Sequence, residues 1–195
     1  MQPDMKSTIM KQLNILPQTN TNFSTLEVSS AWKGLENYLP SIIQELNVST
    51  NKALEFGVDH GYSAHIFSQI FDEVVGVDSF IGDEHIIHEQ GEPFYNTVKT
   101  RFDNTNVKIV RSSFEEFIET NDEQYDLIHI DIVHLYDPTF RCAKWSLQHS
   151  RVVLLHDTVS FPEINRVCQD LSNSLDNVNY YNIPTHFGLG ILYKA

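Results

Sequence analysis

Two glycines and an aspartate stand where this chain could hold a nucleoside. They belong to residues 53–80, which read ALEFGVDHGYSAHIFSQIFDEVVGVDSF. Gly57 and Gly61 follow an apolar strand and allow the backbone to turn tightly against a ligand. Asp78 ends the next strand, where a carboxylate can accept both hydrogen bonds of a ribose diol. The segment therefore predicts a strand, a turn, a helix and a second strand, with Asp78 as the ribose-binding residue.

The spacing of the glycines discriminates between nucleoside ligands. A dinucleotide turn needs G-x-G-x-x-G, because the pyrophosphate rests on bare amides at a helix N-terminus. This chain has E-x-G-x-x-x-G, and the carboxylate of Glu55 would repel phosphate but attract a cationic amino-acid group. The turn resembles motif I of the class I S-adenosylmethionine (SAM) dependent methyltransferases, and the resemblance extends from about Trp32 to the C-terminus. It implies a Rossmann-like α/β fold with a mostly parallel, seven-stranded sheet, helices on both faces and a C-terminal antiparallel hairpin.

Ligands of an open parallel sheet bind outside the carboxyl ends of the strands, so polar residues at those ends are site candidates. Two further predicted strands end in I-D-I-V-H-L-Y (residues 130–136) and H-D (residues 156–157). Both signatures are similar to those of small class I methyltransferases that modify sugars and antibiotics. The resemblance implies that four residues lie at the transferring methyl group: Asp131, His134, His156 and Asp157.

The same resemblance implies a set of cofactor contacts. Glu55, Gly57 and Gly61 are expected to face the methionine part of SAM. Ser63 is expected to donate to the SAM carboxylate, with a helix-capping hydroxyl as the alternative. The remaining contacts are implied near the ribose, the adenine and the methyl group, for Asp78, Ser79, Ser112, Ser113 and Asp131.

Methyl transfer from a sulfonium is an in-line displacement, so the protein mainly has to align an acceptor oxygen and exclude water. An alcohol is a poor nucleophile until its proton leaves, and a base with a pKa near 7 therefore helps. His134 is our preferred base because imidazole has an ordinary pKa of about 6.5. Asp131 or Asp157 could orient it. A hydrogen-bonded structural histidine is the alternative.

A metal-dependent mechanism is a second hypothesis for the same residues. Sugar methyltransferases of this architecture often bind Mg²⁺ through the aspartate after strand 4 and an acidic pair after strand 5, and the resemblance implies Asp131 and Asp157 as ligands. Thr158 replaces the second member of that pair, and Val133 replaces an acid common before His134. We therefore favour a site without metal.

Composition limits the other classes of function. The chain has 195 residues, two cysteines without C-x-x-C spacing and a formal charge of −13, with a pI near 4.9. This length predicts one domain, and the acidic balance opposes binding to DNA or RNA. No segment approaches the roughly 18 apolar residues of a membrane span, and no signal peptide is evident, so we expect a cytoplasmic protein that does not bind membranes.

The elements that must position these residues follow from apolar spacing. Residues 1–29 form a polar N-terminal arm or cover, which could also pair subunits as a homodimer, and the methyltransferase domain spans residues 30–195. A helix is predicted with Trp32, Leu35, Leu39 and Leu46 on one stripe, and capping boxes at residues 113–116 and 160–163 predict two more helix starts. Residues 79–91, with His85 and His88, predict a polar lid. Residues 178–183 and 187–193 predict an antiparallel hairpin.

We therefore expect a SAM-dependent methyltransferase that acts on a hydroxyl of a small molecule or saccharide. One alternative is a catalytically silent SAM-binding sensor or scaffold, which the replacements at Val133 and Thr158 keep open. An NAD-binding oxidoreductase is the other alternative, since Asp78 would suit either ribose. The missing third glycine counts against it.

Overall fold

Helices and strands alternate along residues 13–82 and 90–194, which the computed structural model describes. The strands are β1 (Lys52–Phe56), β2 (Glu73–Asp78), β3 (Val107–Arg111), β4 (Leu127–Ile130), β5 (Val152–His156), β6 (Val178–Ile183) and β7 (Leu189–Lys194). The α-helices of these ranges are α1 (Leu39–Leu46), α2 (Tyr62–Phe67), α3 (Glu92–Arg101), α4 (Phe114–Thr120), α5 (Tyr136–His149) and α6 (Pro162–Ser174).

All seven strands join one sheet in the order β3-β2-β1-β4-β5-β7-β6. The pairs from β3 to β5 are parallel, whereas β7 runs antiparallel to both β5 and β6. The link between β6 and β7 is too short for the crossover that a parallel pair needs, so a hairpin forms. The predicted Rossmann-like methyltransferase fold and its terminal hairpin are confirmed.

The sheet has an apolar cluster on each face. Side chains alternate along a strand, and in β1 Ala53 packs into one cluster while Leu54 and Phe56 pack into the other. Helices α1 and α2 cover the first face with residues such as Leu39 and Phe67. Helices α5 and α6 cover the second face. With both faces covered, the polar side chains of the site lie at the carboxyl edge of the parallel strands.

The first helix begins later than the apolar stripe predicted. Leu35–Tyr38 form a 3₁₀ turn, and α1 starts only at Leu39. Pro40 lies in the first turn of α1, and a proline has no backbone N–H and clashes with the preceding turn, so an α-helix cannot continue through it. Trp32 lies before both elements and is 2% exposed. Its predicted place in the core is confirmed, but it is not helical.

Part of the predicted N-terminal arm packs against the domain. Leu13 and Ile15 are buried in the first apolar cluster, and Ser24 exchanges hydrogen bonds with Gln69 beyond the end of α2. Most of the predicted lid, with His85 and His88, lies outside the described residues. No helix within residues 13–82 and 90–194 has the length and apolar character that a bilayer crossing requires.

Candidate active site

A cavity of about 440 Å³ lies at the carboxyl edge of the parallel strands. Its wall contains most of the residues that the sequence predicted for the site: Gly57, Ser63, Asp78, Ser79, Ser112, Ser113, Asp131, His134, His156 and Asp157. Glu55 and Gly61 are not part of this wall. The predicted cofactor-binding residues and the predicted catalytic residues thus share one cavity.

Gly57 forms the closest backbone approach in the site. Its φ is +84°, and a Cβ atom there would lie 1.8 Å from the carbonyl oxygen of Asp131, so no side chain fits. Gly61 has a φ of +79°, and a Cβ atom there would lie 2.6 Å from the Phe102 ring. Gly61 therefore packs the start of α2 against the Phe102 ring, and its predicted contact with the cofactor stays a prediction.

Asp78 organises the turn as well as lining the cavity. Its Oδ2 accepts hydrogen bonds from the backbone amides of Val58 (2.8 Å) and Asp59 (3.0 Å). Its Oδ1 accepts from the amide of Phe80 at 2.7 Å. Oδ2 already accepts two hydrogen bonds, so the second lone pair of Oδ1 is the acceptor site left for a ribose hydroxyl. The sequence predicted the ribose contact but not the role of Asp78 in shaping the turn.

Glu55 does not line the cavity, and its predicted contact with the methionine part of SAM stays a prediction. Its side chain is fully buried and lies behind the cavity wall, where Oε1 is 2.9 Å from His129 Nδ1. Burial raises the pKa of Glu55, and the hydrogen bond from His129 opposes that rise. Ser63, in the first turn of α2, lines the cavity instead. His129 is fully buried as well.

Two aspartates and two histidines meet at the end of the cavity formed by β4 and β5. His134 Nε2 is 2.8 Å from Asp157 Oδ2 and 3.8 Å from Asp131 Oδ1. The His134 ring also stacks on Phe161, with ring centroids 3.9 Å apart and an interplanar angle of 6°. His156 Nδ1 is 3.2 Å from Asp131 Oδ2. Each of the two predicted catalytic histidines therefore lies within 4.0 Å of both predicted catalytic aspartates.

The charges of this cluster change the pKa of His134, the predicted base. Burial alone would lower the pKa of His134, but Asp131 and Asp157 outweigh burial and raise the pKa to about 9. Burial alone would raise the pKa of Asp131, yet the neighbouring histidines hold it well below its ordinary value. The free protein therefore keeps His134 protonated at neutral pH. This corrects the expectation of a base with a pKa near 7.

The cluster also meets the geometric requirements of a cation site. Asp131, His156 and Asp157 each offer one ligand atom, and these atoms lie within 4.8 Å of one another. His156 Nδ1 faces both carboxylates, at 3.2 Å from Asp131 Oδ2 and 3.5 Å from Asp157 Oδ2, while Nε2 lies 3.3 Å from the carbonyl oxygen of His186. Metal-bound histidines are held in this way, through the second ring nitrogen.

The donor set differs from the one that was expected for Mg²⁺. Mg²⁺ prefers octahedral oxygen coordination, whereas imidazole suits transition ions such as Zn²⁺ and Fe²⁺. His156, and not Thr158, offers the third candidate donor atom beside Asp131 and Asp157. Thr158 instead donates to Asn182 Oδ1 at 2.7 Å. The residues fit a divalent transition ion better than they fit Mg²⁺.

Several residues of the site were not predicted. Ser29, Ser30, Ala31 and Trp32 form one wall, so the segment before α1 borders the cavity. The ring of Phe161 stacks on the His134 ring, and the carbonyl oxygen of His186 orients His156 through Nε2. Residues 29–32 and His186 are distant in sequence from the motifs of the site, whereas Phe161 lies close to His156 and Asp157, in a segment that was predicted only as a helix start. Ser113 caps α4 by accepting from the amide of Glu116 at 3.2 Å, as the capping box predicted.

Comparison with known proteins identifies the family. A family model described as a methyltransferase domain matches residues 54–158, which is more than half of the chain. An uncharacterized protein of Sinorhizobium fredii is 29% identical over 158 residues, and the match covers 73% of this chain and 17% of that protein. The chain thus spans only a small part of the length of this curated relative.

Solved structures share the fold at low sequence identity. An O-methyltransferase from Bacillus cereus, in complex with S-adenosylhomocysteine (SAH), superposes with a TM-score of 0.63 at 16% identity, covering 89% of this chain and 85% of that one. The SAH-bound Podospora anserina methyltransferase PaMTH1 gives a TM-score of 0.66 at 14% identity, covering 86% and 80%. The chain therefore belongs to the methyltransferase-domain family and has the fold of the class I SAM-dependent methyltransferases.

Proposed function

We propose that this protein transfers the methyl group of SAM to a hydroxyl oxygen of a small-molecule or saccharide acceptor. The observation that carries the proposal is one cavity with Asp78 and the glycine turn in its wall together with the cluster of Asp131, His134 and Asp157. A ribose held by Asp78 would leave the remaining volume, beside the cluster, for the acceptor. An O-methyltransferase among the structural neighbours supports oxygen as the acceptor atom.

The wall residues suggest how the cofactor lies. We place the ribose on Asp78, the adenine beside Ser112 and Ser113, and the amino-acid part beside Gly57 and Ser63. These positions follow the strand ends that supply each residue. SAM supplies a methyl carbon that is already activated by a positive sulfur. The protein then has to hold the acceptor opposite that sulfur and keep water out.

His134 is the residue that we place against the acceptor hydroxyl. Its ring is fixed from two directions, by Asp157 at 2.8 Å and by the stacked ring of Phe161. A fixed ring aligns an acceptor better than a mobile one, and alignment is the main contribution that this reaction needs. We expect His134→Gln to lower kcat about 100-fold while the affinity for SAH stays within about twofold.

We further propose that Asp131, His156 and Asp157 bind a divalent transition ion in place of Mg²⁺. Such an ion supplies Lewis-acid chemistry, because it lowers the pKa of a hydroxyl bound to it.

Titrations with Zn²⁺, Co²⁺ and Mg²⁺, with the visible absorption of Co²⁺ as a second readout, test the choice of ion. His156→Ala should weaken Co²⁺ binding about tenfold or more. His65→Ala, outside the cavity, is the control. Preference for Mg²⁺, or unchanged Co²⁺ affinity in His156→Ala, contradicts this assignment.

The decisive experiment for the function combines binding and turnover. Calorimetry with SAM, SAH and NAD tests the cofactor, and transfer of labelled methyl to a panel of saccharides, phenols and amines tests the acceptor. Binding of SAH with methyl transfer to oxygen acceptors is the expected result. Binding of NAD but not SAH would refute the proposal, and SAH binding without transfer to any acceptor would favour a silent binding protein.

The cytoplasmic location, the homodimer and the exclusion of nucleic acids and membranes stay predictions.

A further inference from the structure

Three buried side chains form a hydrogen-bonded chain that begins at the cavity wall and continues into the core. The indole Nε1–H of Trp32 donates to His129 Nε2 at 3.0 Å, and His129 Nδ1 lies 2.9 Å from Glu55 Oε1. Glu55 and His129 are both fully buried, and they are direct cross-strand partners in the pairing of β1 with β4. The Trp32 ring also packs edge-on against the rings of His129 and Phe67.

The direction of these hydrogen bonds follows from the donor inventory. An indole nitrogen can only donate, so His129 Nε2 must be an acceptor and must carry no proton. The ring proton of neutral His129 therefore resides on Nδ1, and Nδ1–H donates to Glu55. Trp32 fixes the tautomer of His129, and the tautomer in turn directs a donor at the Glu55 carboxylate.

Two contacts connect this chain to the cavity. Trp32 is itself part of the wall, at the end of the segment of residues 29–32. At the other end, Glu55 Oε2 makes no hydrogen bond within the described residues, although the Ser63 side chain lies close enough to lower the pKa of Glu55. Ser63 is also a wall residue. The carboxyl group of Glu55 thus lies beside Ser63, at the part of the wall where we place the amino-acid group of the cofactor.

We propose that Trp32 and His129 are positioning residues that hold the Glu55 carboxylate so that it attracts the ammonium group of SAM or SAH through the cavity wall at Ser63. This inference rests on the proposed function, because it deepens the account of the same cofactor site. It also explains why the segment before α1 borders the cavity. Docking of Trp32 completes the chain of donors, so the segment at residues 29–32 and the cofactor stabilise each other.

The test compares two ligands that differ only in the part that Glu55 is proposed to recognise. SAH carries the ammonium and carboxylate groups, whereas 5′-methylthioadenosine has the same nucleoside and sulfur without them. Trp32→Phe keeps an aromatic ring but removes the indole donor. We expect calorimetry to show SAH affinity reduced about tenfold in Trp32→Phe and about 10- to 100-fold in Glu55→Gln. The affinity for 5′-methylthioadenosine should stay within about twofold in both variants.

A spectroscopic readout does not depend on any variant. Nitrogen chemical shifts of the His129 ring in the unmodified protein should report the Nδ1–H tautomer, and an Nε2–H tautomer would overturn the inference.

Trp145→Phe is the matched control for the binding experiment, because Trp145 lies in α5 and does not line the cavity. It should change neither affinity.

Each binding outcome is informative. Selective loss of SAH affinity supports the inference. Equal loss of both ligands in Glu55→Gln and Trp32→Phe indicates a purely structural role and overturns it, as does unchanged SAH affinity. If Trp32→Phe does not fold, Glu55→Gln and the His129 tautomer decide the matter. Failure of the unmodified protein to bind SAH refutes the proposed function itself, which is a different result from failure of the variants.

Discussion

Replacement of Gly57 by alanine should damage two parts of the site at once. The added Cβ would lie 1.8 Å from the Asp131 carbonyl oxygen, whereas real contacts of this kind are essentially never below 3.0 Å. The ends of β1 and β4 would have to separate by about 1 Å. That movement stretches the hydrogen bond from the Asp131 amide to the Phe56 carbonyl, which is now 2.8 Å long.

The size of the effect follows from these two contributions. Alanine at a φ of +84° costs about 1–2 kcal/mol, and an unsatisfied buried backbone group costs about 1–3 kcal/mol. We therefore expect Gly57→Ala to lower the free energy of unfolding in urea by roughly 2–5 kcal/mol and to abolish measurable SAH binding.

Gly91→Ala is the matched control for this prediction. Gly91 also has a positive φ, +105°, but no described atom lies within 4 Å of the added Cβ. It should lose roughly 1–2 kcal/mol from strain alone and keep its affinity for SAH. If Gly57→Ala loses no more stability than Gly91→Ala, the contact with Asp131 does not have the importance that we assign to it.

Three further outcomes test the site. Asp78→Asn should weaken SAH binding about tenfold and speed amide hydrogen exchange in the glycine turn, because one oxygen acceptor of backbone amides is lost; unchanged exchange would contradict this. Ser113→Ala should cost about 1 kcal/mol of unfolding free energy by removing the α4 cap, while Ser112→Ala costs less than about 0.5 kcal/mol. In metal-free protein the pKa of His134 is raised to about 9, so its contribution to stability is complete below pH about 6.5 and is lost as the pH rises through 9; NMR titration that returns an ordinary pKa would refute it.

The sequence predicted the strand ends well because that information is local. Apolar runs mark the buried strands, and the topology rule then places Asp78, Asp131 and Asp157 at one edge. Capping signals were less reliable. Ser113 caps α4 as predicted, but α6 begins at Pro162 with Phe161 at the N-cap and no side-chain cap, so the predicted capping box at residues 160–163 is wrong. Proline at the first position of a helix sets that boundary by itself.

Contacts between residues that are distant in sequence could not be predicted from local patterns. Trp32 and His129 are 97 residues apart in sequence, and only the packed sheet and the N-terminal segment bring them together. The same holds for the pKa of His134, which depends on distances to two carboxylates and on burial. Residue types indicated that an imidazole was present, but the surrounding charges determine whether it is a base.

The spacing of His129 and Asp131 in and after β4 indicates that the two side chains share a face of the sheet. His129 and Asp131 are two residues apart, and Asp131 continues the extended pairing because its amide donates to the Phe56 carbonyl at 2.8 Å. Side chains two apart on a strand point to the same face, about 6.6 Å from each other. The buried His129 and the cavity residue Asp131 are therefore successive members of one row. Glu55 lies opposite His129 in the neighbouring strand. A shift of β4 by one residue would therefore move His129 away from Glu55 and would displace Asp131 at the same time. The alternation H-x-D at the end of a buried strand thus places the buried pair of Glu55 and His129 beside the cavity residue Asp131.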